Sequence, residues 1–80
     1  MGTKRDRIEI MAEILGLCSE PRTKTRVMYG TTLSLTMLQH YLSYMQEHEL
    51  LEIQEKSTKY VTTERGKEFV AKWEELQEFF

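Results

Sequence analysis

Cysteine, proline and glycine are scarce in this sequence, which has one cysteine, one proline and four glycines in 80 residues. The single cysteine, Cys18, excludes an intrachain disulfide, and its place in the apolar pattern of the first segment predicts a buried thiol. No apolar run approaches the roughly 18 residues that a membrane span requires. The start MGTKRDRIEI lacks the apolar stretch of a secretory signal. We therefore expect a cytoplasmic protein.

No catalytic constellation is visible in the sequence. It has no glycine-rich phosphate loop, no nucleophile with a base at suitable spacing, and no paired carboxylates beyond acids expected on solvated helix faces. His40 and His48 have no cysteine or carboxylate at ligand spacing on the same face, which argues against a metal site. We expect a non-enzyme with no cofactor, no metal and no small-molecule ligand.

Positive charge is in the minority but is clustered. The net charge is -2, which alone argues against a nucleic-acid-binding protein. The basic residues are nevertheless concentrated in two segments, which contain Arg22, Lys24 and Arg26, and then Lys56, Lys59, Arg65 and Lys67. Most acidic residues lie elsewhere, so the two segments can form one basic face after folding.

Two helices are predicted in the first part of the chain. Residues 4–18 have helical apolar spacing, and the expected buried residues are Ile8, Met11, Ile14, Leu15 and Cys18. Pro21 interrupts this helix. Thr23 is then a suitable N-cap for a short second helix that ends at Gly30, a residue suited to a left-handed C-terminal position.

A third helix is predicted to begin after its N-cap, Ser34. Its expected buried stripe is Leu35, Leu38, Leu42 and Met45, with Tyr41 at the edge. The opposite face is polar and mostly uncharged, and consists of Thr36, Gln39, His40, Ser43 and Glu47. We interpret Tyr29, Tyr41 and Tyr60 as core residues.

After the third helix the spacing of the apolar residues no longer follows the helical period and becomes typical of short strands. LLEIQ and KYVT are strand candidates separated by EKST, a length that suits a hairpin with a polar tip. Thr62 or Thr63 then caps a final helix, with Glu64 in its first turn. In that helix an apolar seam consists of Phe69, Trp73, Leu76 and Phe80. The seam could pack on the first helix of the same chain or on a second copy, and we favour a homodimer.

This order of elements is typical of a winged helix-turn-helix. The predicted fold class is α+β, mostly helical, with a two-stranded wing and a C-terminal dimerisation helix. We expect residues 1–66 to form the winged helix-turn-helix and residues 62–80 the dimerisation helix, within a single domain.

The sequence also resembles a known family, the small archaeal winged-helix proteins regarded as transcriptional regulators, whose structural model is the Sulfolobus chromatin-type DNA-binding dimers. The matching segments are KTRVMYGTTLSLTMLQHYLSYMQEHELLE, residues 24–52, and YVTTERGKEF, residues 60–69. The family typically has Lys-Thr-Arg-Ile-Met-Tyr, then Leu-Ser, then a Leu-x-x-Tyr-Leu helix. It often has two lysines in place of Gln39 and His40. The resemblance implies docking on DNA and dimerisation through the C-terminal helix as an antiparallel coiled coil.

These observations together predict a nucleoid-associated transcriptional regulator or chromatin-type protein that binds double-stranded DNA. Its recognition helix, about residues 34–48, would enter the major groove and use Ser34, Thr36, Met37, Gln39, His40 and Ser43. Phosphate contacts would come from Arg22, Lys24, Arg26, Lys56, Ser57 and Lys59. One alternative is a winged-helix module that binds proteins and not DNA. Another is a small-molecule or pH sensor that controls DNA affinity.

Overall fold

The computed structural model describes residues 6–80, which form four helices and one two-stranded antiparallel sheet. The elements in chain order are α1 (Arg7–Leu17), α2 (Lys24–Thr31), α3 (Leu35–Glu47), β1 (Leu51–Gln54), β2 (Lys59–Thr62) and α4 (Glu64–Gln77). This is the predicted winged helix-turn-helix, which confirms the fold class. No helix within residues 6–80 is long and apolar enough to cross a membrane.

Helix α1 begins with a capping box. The Asp6 carboxylate accepts a hydrogen bond from the Glu9 backbone N–H at 2.8 Å, and the Glu9 side chain accepts one from the Asp6 N–H. The first two residues of the predicted helix, 4 and 5, lie outside the described residues. The predicted burial of Ile8 is wrong, because 47% of it is exposed, whereas Ile10 and Ala12 are buried. Helix α1 contacts α2, β2 and α4, so its buried side is broader than one narrow stripe.

The second helix ends one residue later than predicted, and Gly30 is not its left-handed terminus. The left-handed residue is Thr32, with a φ of 57°, and its N–H donates to the Met28 carbonyl oxygen at 2.9 Å. Gly30 lies inside the helix, where a Cβ atom would be 2.8 Å from the Leu17 Cδ1 atom. Position 30 therefore does not need glycine for a left-handed backbone, and a side chain there would require only the end of Leu17 to shift.

Helix α3 begins as predicted, with the Ser34 hydroxyl accepting a hydrogen bond from the Met37 N–H at 3.2 Å. Leu38, Leu42 and Met45 are buried in the common core, as predicted. Leu35 is half exposed, because the first turn of α3 extends beyond the core.

The three tyrosines that we interpreted as core residues have different environments. Tyr60 is buried and Tyr41 packs half-buried against the core. The interpretation of Tyr29 is wrong, because 74% of it is exposed on α2. On that short helix Val27 and Thr31 occupy the buried positions, so the side chain of Tyr29 lies outside the core.

The hairpin is where it was predicted, except that β1 begins one residue later, at Leu51, and long-range hydrogen bonds join it to the helices. Leu51 pairs with Thr62 and Gln54 pairs with Lys59. The Thr62 hydroxyl donates to the Leu15 carbonyl oxygen at 2.6 Å, and the Thr62 N–H donates to the Cys18 carbonyl oxygen at 2.8 Å. The wing is therefore fixed to the end of α1.

The cap of α4 is Thr63, one of the two predicted candidates. Its hydroxyl accepts a hydrogen bond from the Gly66 N–H at 3.0 Å and donates one to the Glu49 carbonyl oxygen at 2.7 Å. Glu64 lies in the first turn, as predicted. The Thr63 hydroxyl thus holds the start of α4 against the turn that precedes β1.

The Cys18 thiol is buried, as predicted. Burial raises its pKa from the ordinary value of 9.0 to about 11, although the nearby positive charge of Arg22 opposes this shift. The thiol form therefore stabilises the fold fully below pH 9.0, and this contribution is lost as the pH rises through about 11.

Cys18 is accordingly expected to resist alkylation in the native protein. At pH 8 the native thiol should react with iodoacetamide at least about 100-fold more slowly than in urea, because little thiolate forms and the sulfur is inaccessible. Mass spectrometry of timed samples measures the rate. Equal rates in buffer and in urea would contradict the buried position of this residue.

Candidate nucleic-acid interface

The outward face of α3 is formed by four polar side chains at positions i, i+3, i+4 and i+7. Thr36, Gln39, His40 and Ser43 are all exposed and line one shallow depression of about 260 Å³. Within residues 6–80, none of the four side chains makes a hydrogen bond to another part of the protein. Their donors and acceptors are therefore directed to solvent and available to an external partner.

Arg7, a cation that we did not predict, lies beside this face. A second depression, of about 250 Å³, is lined by Arg7, Met37, His40, Tyr41 and Tyr44. The Arg7 guanidinium lies 5.5 Å from the centroid of the Tyr44 ring, within the range of a cation–π contact. Helix α3 has no basic residue other than histidine, so Arg7 of α1 contributes a positive charge next to it. No local sequence pattern could reveal a contact between residues this far apart in the chain.

Three of the predicted phosphate-binding residues lie together. Arg22, Arg26 and Lys59 line a depression of about 240 Å³, with Pro21 and Thr23. They meet because Arg22 forms an isolated antiparallel bridge with Tyr60, in which the two N–H···O distances are 2.9 and 2.7 Å. The loop before α2 is thereby joined to β2, and the first basic segment meets the second.

Arg22 also has a structural role. Its Nε atom donates to the Leu17 carbonyl oxygen at 3.1 Å, and one Nη atom lies 4.0 Å from the Glu20 carboxylate. These contacts hold the half-buried guanidinium near the C-terminal end of α1. Arg26 and Lys59 are exposed and make no ion pair within residues 6–80, so they have more freedom to bind an anion.

Tyr29 enlarges the basic area, although we had placed it in the core. It lines a depression of about 410 Å³ together with Leu17, Arg22, Arg26, Val27 and Gly30. Arg26, Tyr29 and Gly30 follow one another at helical spacing on α2, a pattern that could have indicated their common face. An exposed phenol beside two guanidinium groups can contact sugars and phosphates.

The other predicted cations lie apart from this depression. Lys56 and Ser57 are exposed in the four-residue turn of the hairpin, where the Ser57 hydroxyl donates to Gln54 Oε1 at 3.2 Å. Lys24 is half-buried at the start of α2 and does not line the depression. Thr58 adopts a left-handed φ of 52°, which closes the turn and leaves Lys56 at its tip.

Comparison with known proteins identifies the family. A family model described as winged helix-turn-helix matches residues 4–80. The chain belongs to the winged helix-turn-helix family. No curated protein matches it.

Among solved structures, this winged helix-turn-helix chain is similar to the crystal structure of Sso10a-2, a DNA-binding protein from Sulfolobus solfataricus. The two have 31% sequence identity and a TM-score of 0.84, and the match covers 94% of this chain and 81% of the other. The resemblance to the small archaeal winged-helix family is confirmed by this match.

The predicted apolar seam of the final helix, Phe69, Trp73, Leu76 and Phe80, begins at the core and extends past it. Phe69 packs half-buried against the core, and Trp73 is half-buried. The exposed fraction then rises to 53% at Leu76 and 98% at Phe80. The first part of the seam therefore packs within the chain, whereas the last part has no cover among residues 6–80.

Proposed function

We propose that this winged helix-turn-helix protein is a non-enzymatic homodimer that binds double-stranded DNA and acts as a transcriptional regulator or chromatin-type protein. The observation that carries the proposal is the outward face of α3, where Thr36, Gln39, His40 and Ser43 are exposed together and unused inside the described chain. A DNA-binding protein of the same fold, 31% identical, supports it.

In this proposal α3 enters the major groove. A helix of this diameter fits that groove, and an amide such as Gln39 can bond adenine through two contacts. Hydroxyls and the imidazole of His40 can donate to or accept from base edges. Ser34 and Met37, at the start of the helix, would lie next to the bases, since the N-terminal part of a recognition helix reaches deepest.

Phosphate contacts fix the position of the helix in this proposal. Arg26, Lys59 and Tyr29 offer the most accessible anion-binding groups, and Arg22 supports them from its half-buried position. Lys24 lies in the first turn of α2, where the positive end of the helix dipole favours phosphate. Lys56 and Ser57, at the hairpin tip, would contact the neighbouring backbone.

Dimerisation would use the exposed end of α4. A second copy could cover Leu76 and Phe80 and extend the seam that begins at Phe69 and Trp73. Twofold pairing would present two α3 helices to one duplex, and dimeric readers contact half-sites about one helical turn apart.

The first experiment measures binding to a random duplex of about 25 base pairs, long enough for two half-sites. Affinity should fall between 50 and 200 mM salt by a factor on the order of 100 to 1,000, because about four to six phosphates per dimer release counterions. Fluorescence anisotropy at several salt concentrations gives the slope.

The same titration tests the alternative of a protein-binding module. An apolar protein interface is insensitive to moderate salt, since it does not depend on released counterions. Absence of binding at low salt would contradict the DNA-binding proposal and would favour a protein partner for the exposed residues Leu35 and Met37.

A further inference from the structure

A groove lies between the start of α1, the end of α3 and the start of α4. Its volume is about 420 Å³, and its apolar lining residues are Ile8, Met11, Leu50 and Phe69. Ile8 is 47% exposed, an unusual environment for an isoleucine on a helix whose other aliphatic residues are mostly buried. Part of the apolar surface that lines the groove is therefore exposed to solvent in the single chain.

The other lining residues of the groove are aromatic or basic. The Tyr44 and His48 rings are in contact, with centroids 4.5 Å apart, and the Arg7 guanidinium lies over the Tyr44 ring. Arg65, on the first turns of α4, is the second cation of the lining, which contains no carboxylate. An apolar ligand group attached to an acidic segment would fit this combination of surfaces.

The end of α4 has this complementary chemistry. Phe79 and Phe80 are 81% and 98% exposed, and the preceding acidic residues are Glu74, Glu75 and Glu78. Phe80 cannot reach the groove of its own chain. It follows Phe69 by three helical turns, so the two side chains are roughly 16 Å apart along the helix axis.

The spacing of the seam allows two copies of α4 to pair in opposite directions. The intervals between Phe69, Trp73, Leu76 and Phe80 are four, three and four, which read the same in reverse. In antiparallel pairing Trp73 therefore meets Leu76 of the second copy, and Phe69 meets Phe80 of the second copy. Since Phe69 lines the groove, this register places Phe80 of the second copy at the groove entrance.

The charge distribution along α4 favours this direction over a parallel one. In the first half of the helix Arg65 and Lys67 are balanced by Glu64 and Glu68, so this half has no net charge. Residues 71–78 have a net charge of -2, because Lys72 is outnumbered by Glu74, Glu75 and Glu78. Parallel pairing would collect the acidic ends of both copies at one place. Antiparallel pairing separates them, brings each near Arg7 and Arg65 in the groove of the other copy, and opposes the two helix dipoles.

We infer that the groove between α1, α3 and α4 is the binding site for Phe80 of a second copy, so that each copy completes the other. The inference rests on the proposed dimerisation through α4. It adds that the dimer contact includes the end of the proposed recognition helix, because Tyr44 lies on α3 and His48 is its C-cap residue. Removing the Phe80 ring should therefore weaken the dimer and also make α3 less rigidly held.

Cross-linking of two different chains tests the inference. One full-length chain carries Ile8→Cys, and the other carries Phe79→Cys, which leaves the Phe80 ring in place, and a tag that changes its size. A flexible bismaleimide joins accessible thiols. Cys18 remains in both chains because it is buried. In the mixture the heterodimeric product should form about 100-fold faster than by random collision, since effective concentrations within a complex reach the millimolar range.

Two controls decide between the possible arrangements. Phe79→Cys chains alone should not cross-link, because antiparallel pairing holds the two C-terminal ends apart; rapid self-linking would show parallel pairing and overturn the inference. A mixture of Ile53→Cys, an exposed wing position, with Phe79→Cys should link only at the collision rate. If the Ile8→Cys and Phe79→Cys pair links no faster than this wing control, the groove does not hold Phe80.

The stability of the dimer gives a second measurement. Phe80→Ala should raise the dimer dissociation constant about 100-fold, because two buried phenyl rings are lost per dimer. Sedimentation equilibrium without DNA measures this constant, and an unchanged value would contradict the inference. Both tests omit DNA, so their failure leaves the salt-dependent duplex binding to be judged separately, and failure of duplex binding leaves the cross-linking result intact.

Discussion

Gly66→Ala is expected to lower the free energy of unfolding by about 3 kcal/mol, at the upper end of the range for overpacked sites. A Cβ atom at this position would overlap the Leu50 carbonyl oxygen and would lie 2.5 Å from Thr62 Cγ2. Neither group can move away easily. The Leu50 oxygen accepts a hydrogen bond from the Thr63 N–H at 3.1 Å, and the Thr62 hydroxyl is held by the buried Leu15 carbonyl oxygen.

The substitution therefore has to separate the start of α4 from the hairpin and from the turn before β1. A domain of this size has a total stability of only about 4 to 12 kcal/mol, so the loss is a large fraction of it. Urea denaturation followed by circular dichroism measures the change.

Gly16→Ala is the matched control, since nothing lies within 4 Å of the position of its Cβ atom. In the last turns of α1 alanine should raise the free energy of unfolding by about 0.5 to 1 kcal/mol, through helix propensity alone. Opposite signs for the two substitutions are expected. Equal and small effects would show that α4 does not approach Leu50 as closely as described.

Arg26→Ala combined with Lys59→Ala should weaken binding to all DNA sequences on the order of 100-fold at physiological salt, because the proposed dimer would lose about four phosphate contacts. The slope of log affinity against log salt should become shallower by about 3 to 4. The two residues line one depression, so a single phosphate-binding area is removed. Anisotropy titrations at several salt concentrations measure both quantities.

Lys72→Ala is the control for loss of a lysine outside the interface, since Lys72 lies on α4 and lines neither basic depression. It should change the affinity much less. An unchanged affinity for random duplex after loss of Arg26 and Lys59 would refute the docking arrangement.

Gln39→Ala tests the base-contacting part of the proposed interface. It should leave the salt slope unchanged but alter the preference between DNA sequences by about 1 to 3 kcal/mol, as expected for a lost bidentate base contact.

Local signals in the sequence were reliable where a few neighbouring residues decide the structure. Ser34 was identified as an N-cap and Thr63 as one of two candidates, because a short hydroxyl side chain beside the first amides of a helix is a local interaction. The position of the hairpin followed from a polar turn between two apolar segments. The buried residues of α3 followed from helical spacing, except at Leu35 in the first turn.

Local signals failed where a residue depends on distant neighbours. Gly30 looked like a helix terminus, but it lies inside α2 next to the end of the Leu17 side chain, and the left-handed residue is the β-branched Thr32. Ile8 fitted the apolar stripe of α1 and Tyr29 resembled a core aromatic, yet both are exposed. Spacing describes one helix, whereas exposure depends on which neighbours cover it.

The candidate interface likewise has one part that local signals revealed and one part that they did not. The four residues of the outward α3 face could be named from helical spacing, because they lie on one helix. The meeting of Arg22 and Arg26 with Lys59 could not, since it requires the bridge between Arg22 and Tyr60. The position of Arg7 over Tyr44 likewise requires the packing of α1 near α3.

The sequence by itself determined the order of elements, the N-terminal caps of α2 and α3, the hairpin and the polar face of α3, because hydrogen bonds between near neighbours and the periodicity of apolar residues act over a few positions. Only the tertiary structure decided which basic residues share one surface, which aromatic residues stay exposed, and which groove lies next to α3. These features arise from contacts between residues far apart in the chain, and such contacts exist only after the helices and the wing have packed around one core.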